Sequence, residues 1–74
     1  MKYKYFKHAL YQQYYRVYSN GVYECFAAWV QEWHRGERSW EEDSSYLTSH
    51  GFEPREVSKL EVLIVLGAEA VKSV

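Results

Sequence analysis

Apolar and aromatic side chains recur at intervals of three and four along most of this chain. Tyr3, Phe6, Leu10, Tyr14 and Val17 form one such series, and Val22, Cys25, Phe26, Trp29, Val30 and Trp33 form a second. That spacing lines each series along one side of an α-helix, so the pattern predicts helices over 2–18 and 21–35, with Gly36 where a left-handed terminator belongs. Ser39 followed by Glu42 is a capping-box pattern, in which the hydroxyl accepts from the third helical amide, and it starts a helix near Trp40. Gly51 ends that helix at about residue 50, and Phe52 falls where a Schellman turn returns its side chain onto Leu47. Pro54 suits the first position of a fourth helix, running over 54–72, because its missing amide hydrogen would have had no helical partner. The expectation is an all-α fold, a compact four-helix single domain spanning 1–74.

One alternative is an α+β fold with an N-terminal hairpin turning at Asn20-Gly21, the commonest two-residue hairpin turn. Such a turn pairs Tyr15 with Phe26 and Val17 with Glu24 on one face, and Arg16 with Cys25 on the other. Neither face is then consistently apolar, which favours the helices. The fourth helix also has a competitor, a buried strand over Leu60–Leu66 ended by Gly67, because the segment is rich in β-branched residues. As a helix it carries a wide apolar arc of Val57, Leu60, Leu63, Ile64, Gly67, Ala68 and Val71, with Val62, Val65 and Leu66 around the opposite side. A helix apolar nearly all round needs cover nearly all round, so part of its surface is expected to meet a second copy or a partner.

Composition narrows the class. At 74 residues there is room for one modest core, and 47% hydrophobic with 19% aromatic content drives collapse. Seven of the eight tyrosines lie within the first 23 residues, more than one packed face can absorb. Cys25 is the only cysteine, which excludes an intrachain disulfide or a cysteine-based zinc site and points to a reducing, cytoplasmic setting. Val62–Leu66 is the longest apolar run, far short of the roughly 20 residues that span a bilayer, so no membrane segment is expected. Lys2, Lys4, Lys7 and Arg16 precede every acid, so a basic end meets an acidic body within a net charge of −1.

Candidate chemistry is sparse. Cys25 sits on an apolar stripe, where a thiol is usually a small core residue, and His8, His34 and His50 fall on three different predicted helices. With no paired metal ligands, phosphate loop or nucleophile motif, the reading is not an enzyme and uses no cofactor. The acidic run of Glu37, Glu41, Glu42 and Asp43 complements the helix dipole at the start of the third helix.

Gly51, Phe52, Val57 and Leu60 have spacings that resemble the turn and second helix of a helix-turn-helix motif, over 43–62. The segment departs from that pattern at Leu47 and His50. The resemblance implies a nucleic-acid-binding regulator as the alternative function, although Glu53, Glu56 and Glu61 stand against only Arg55 and Lys59 on the would-be reading helix.

The leading expectation is a small protein-binding module, a regulator, adaptor or inhibitor, self-associating as a homodimer through its C-terminal helix. Lys4, His8, Tyr11 and Tyr15 share a second face of the first helix with Tyr18 nearby, and tyrosines bury much area for little entropy at interfaces. Together with Val62, Val65 and Leu66 of the fourth helix they are the expected partner-binding residues.

Overall fold

A computed structural model describes residues 3–27, 29 and 31–67. The chain runs through strands β1 (Tyr3–Lys7), β2 (Gln13–Tyr18), β3 (Tyr23–Ala27) and β4 (Trp33–Arg35), then helix α1 (Trp40–Ser49), strand β5 (Arg55–Val57) and helix α2 (Lys59–Leu66). The five strands form one sheet in the order β4-β3-β2-β1-β5, and every neighbouring pair is antiparallel. The fold is therefore mostly antiparallel sheet with two short helices.

The four-helix expectation is overturned. The segments expected as the first two helices are β1 to β4, and the segment expected to open the fourth helix is β5. Aromatic residues favour strands, and here they are dense enough that a three-and-four spacing can be drawn through them by chance. The period-two signal that marks most strands is missing for a physical reason. Tyr14, Tyr15 and Arg16 are consecutive and all buried, because both faces of the sheet are covered.

The hairpin at Asn20-Gly21 does form, in a different register. The Gly21 amide donates to the Tyr18 carbonyl and the Tyr18 amide to the Val22 carbonyl, which closes a three-residue loop of Ser19, Asn20 and Gly21. Gly21 takes φ 89°, as the glycine of such a three-residue loop does. Relative to a two-residue turn the pairing slips by one position, so that Tyr14 faces Phe26, Arg16 faces Glu24 and Val17 faces Tyr23. That slip moves each side chain to a compatible partner.

One face of the sheet packs on α2: Tyr5, Tyr14 and Val57 enclose Val62, with Tyr3, Trp33 and Leu66 packed around them. The other face packs on Trp40 at the start of α1, whose ring centroid lies 5.0 Å from Phe6, 5.0 Å from Tyr15 and 5.1 Å from Tyr23. The Trp40 amide also donates to the Gly21 carbonyl, and the Tyr23 hydroxyl donates to the Asp43 carboxylate. Gly36 is placed by contact rather than by helix termination: a Cβ there would lie 2.3 Å from Cζ of Tyr23.

Local signals at the helix ends match the hydrogen bonds. Ser39 accepts from the Glu42 amide, and the Gly51 and Phe52 amides donate to the Thr48 and Leu47 carbonyls in the Schellman pattern. The Phe52 ring, however, stacks on His8 at 5.7 Å. Helix α2 begins after Ser58, which caps it by accepting from the Glu61 amide. With β5 lying between α1 and α2, the segment 43–62 does not have helix-turn-helix geometry.

Candidate functional site

On the α2-facing side of the sheet, Arg16 occupies the central strand with Glu24 directly opposite on β3. Its Nε donates to Glu24 Oε1 at 2.5 Å, and the Tyr18 hydroxyl donates to the same oxygen at 2.8 Å. The guanidinium lies 4.3 Å from the centre of the Trp33 ring and 5.7 Å from that of Tyr3, in cation–π geometry. Burial by itself would raise the Glu24 carboxyl, but the bonds from Arg16 and Tyr18 outweigh it and hold the group below its ordinary 4.5. The pair therefore stays charged in a largely dry setting.

Among the described residues, Arg16 Nη1 and the Tyr5 hydroxyl are buried side-chain atoms without a hydrogen bond of normal geometry. Burial, with the nearby Tyr3 hydroxyl second, keeps the Tyr5 phenol protonated well above its ordinary range. At the end of the sheet formed by β1, β2 and β5, an open groove of about 750 Å³ is lined by residues that include Tyr3, Lys4, Tyr18, Glu56 and Lys59. Position in the antiparallel ladder explains the grouping around Arg16, because Tyr3, Tyr5, Arg16 and Tyr18 project from one face of two paired strands.

The residues expected to bind a partner are dispersed. Lys4 and Tyr11 are exposed and Tyr18 is half-buried beside Glu24. Tyr15 is buried against Trp40. His8 is buried as a loop cap: its Nδ1 accepts from the amides of Leu10 at 3.0 Å and Tyr11 at 3.3 Å, so Nε2 carries the proton. Its ring lies 4.9 Å from Tyr11 as well as against Phe52. Burial, and then the charge of Lys7, lowers the His8 pKa below 6.5. Cys25 is half-buried, accepts from Gln13 Nε2, and has its thiol pKa raised by burial against the opposing effect of that bond.

On α2 the two sides of the helix are interchanged relative to the expectation. Val62 is fully enclosed and Leu66 half-buried against the sheet, while Leu60 and Ile64 are 62% and 73% exposed. Leu63 and Val65 are exposed as well, so Val65 is the one outward-facing member of the expected trio. Because β5 carries Val57 into the core and Ser58 starts the helix, the first helical turn is set so that Val62 points inward. The Arg16–Glu24 pair had a legible signal that was missed: in the three-residue-loop register, Arg16 and Glu24 are the two opposite charges of the hairpin and fall opposite each other.

Among the described residues no helix is long and apolar enough to cross a membrane. Comparison with protein-family models, with curated proteins and with solved structures gives no significant match to this chain.

Proposed function

We propose that this protein is a non-enzymatic protein-binding module that pairs with a second copy of itself through the outer face of α2. The observation that carries the reading is the exposed stripe of Leu60, Leu63 and Ile64 at helical spacing, with Val65 at its margin. Lys59 and the Arg55–Glu61 ion pair at 3.0 Å give this stripe a charged surround, the common plan of an apolar interface core with a polar rim. An isologous dimer lays the same stripe on itself.

The exposed parts of these four side chains amount to roughly two whole aliphatic side chains, worth about 3–6 kcal/mol per protomer when buried. Two copies of the face together offer a gain comparable with the association cost of about 4–15 kcal/mol. The dimer is therefore weak and concentration-dependent, as suits a regulator or adaptor that exchanges partners. A cytoplasmic setting is supported by a single free cysteine.

Sedimentation velocity over a concentration series tests the reading. The expected result is a shift from monomer to dimer toward high micromolar protein, and a monomer throughout for Ile64→Lys with an unchanged circular dichroism spectrum. A wild-type monomer at every concentration, or an Ile64→Lys variant that dimerises as well as the wild type, overturns it.

A further inference from the structure

We propose that the β1–β2 and β3–β4 loops seat this protein on the surface of a zwitterionic lipid bilayer through Leu10, Tyr11 and Trp29. The antiparallel order brings the two loops to one end of the sheet, since Gln13 pairs with Ala27 where β2 begins and β3 ends. Leu10 is 63% exposed, Tyr11 54% and Trp29 68%, so three large side chains leave the fold there uncovered. This surface is made of loops and is separate from the outward stripe of α2.

The backbone beneath these side chains is already bonded. The Leu10 and Tyr11 amides both donate to His8 Nδ1, and the His8 amide donates to the Gln13 carbonyl at 2.9 Å. Lys7 Nζ donates to the His8 and Tyr11 carbonyls at 3.2 and 3.5 Å. In the neighbouring loop the Gln31 amide donates to the Ala27 carbonyl at 2.9 Å, closing a turn whose middle residue is Trp29. Gln31 takes φ 60° there, a left-handed conformation that a glutamine adopts only at a cost. A loop in water can leave its amides to the solvent, whereas one that enters an interface has to bond them internally. A buried imidazole holding two loop amides and a strained turn residue thus brace side chains that stay largely outside the fold.

Residue type, area and charge select a bilayer as the occupant. Tryptophan and tyrosine pair an apolar ring with a polar tip and settle at the level of the lipid headgroups, while leucine reaches the acyl chains. The three side chains present roughly 400 Å² of surface, about half of what each partner contributes to a specific protein interface. A fluid bilayer needs no complementary shape, so two projecting loops suffice. At this end Lys7 and Arg55 are accompanied by Glu32, Glu53 and Glu61, so there is no positive excess to attract anionic headgroups.

Vesicles of phosphatidylcholine are the probe, read by cosedimentation of the protein and by quenching of tryptophan emission with brominated acyl chains. The expected result is saturable partition with quenched emission, and no gain in binding when phosphatidylserine is added or salt is lowered. Trp29→Ser is expected to keep its melting temperature, because the side chain is exposed, and to lose about tenfold or more in partition. The quenching goes with it, since Trp33 and Trp40 pack against the sheet. Leu10→Ser weakens partition by about fivefold, and Ile64→Lys, on the other surface, binds vesicles as the wild type does. The proposal is overturned by the absence of partition into phosphatidylcholine, by binding that appears only with phosphatidylserine, by a Trp29→Ser variant that binds as before, or by loss of binding in Ile64→Lys. Amide shifts at Leu10 and Tyr11 that follow protein concentration without vesicles overturn it as well, because they mark a contact between copies.

Discussion

Glu24→Ala removes the acceptor of the Arg16 Nε bond and leaves a guanidinium that is 5% exposed in the middle of a five-stranded sheet. Deleting one member of a buried ion pair costs about 3–5 kcal/mol, because the other charge stays behind without compensation. Glu24 is the less buried partner, with 24% of its side chain exposed, so water reaches the vacated position and the expected loss is about 2–3 kcal/mol. A chain of 74 residues has a total stability of about 4–11 kcal/mol, so this one carboxylate accounts for a substantial part of it. Urea unfolding followed by tryptophan fluorescence measures the change, since Trp33 lies against the same guanidinium. The midpoint is expected to fall by about 1–2 M. The paired control is Arg16→Met with Glu24→Leu, which removes both charges and is expected to recover most of the loss. A loss below about 1 kcal/mol for Glu24→Ala, or a double variant no more stable than the single one, would refute the claim that a buried pair organises this face.

What could be read from the sequence divides by range. The Ser39–Glu42 cap and the Gly51-Phe52 terminator were legible, because their hydrogen bonds close within six residues and depend on local residue types. The identity of the first half was not. Phe6, Leu10, Tyr14 and Val17 do share a helical stripe, and only long-range cover from Trp40 on one side and Val62 on the other makes consecutive Tyr14, Tyr15 and Arg16 buried in a strand. A two-residue turn puts the hairpin out of register by a single residue, which exchanges the Arg16–Glu24 pairing for an unsatisfying one. At the site, the exposed apolar surplus on the last helix was legible from Leu60 to Leu66, but which side faces outward was not. That depends on Val57 entering the core from β5, a tertiary fact.

Three further outcomes follow from the packing and the titrating groups. Gly36→Ala forces a methyl against the Tyr23 ring and is expected to cost about 1–3 kcal/mol in chemical denaturation, with part of the loss recovered when Tyr23 is shortened to leucine. His8 has a folded pKa below its ordinary 6.5, so neutral His8 stabilises the fold above that pH and the contribution is lost as pH falls through the folded value. His8→Asn keeps an acceptor for the Leu10 and Tyr11 amides and is expected to flatten the stability profile just below pH 6.5, while the decline below 4.5 due to Glu24 persists. Ser58→Ala removes the cap of α2 and is expected to lower stability by about 1 kcal/mol, read as a drop in melting temperature without a change of fold.

The outward face of α2 as a self-association surface is tested most directly by amide chemical shifts recorded on dilution. From concentrated to dilute protein, the amides of 59–66 and their immediate neighbours are expected to move together along one binding curve, while those of β3 and β4 stay fixed. Ile64→Lys should abolish the movement and leave the remaining spectrum in place. Shifts that do not depend on concentration, or that concentrate in β4 or the 8–12 loop instead of α2, would contradict the account.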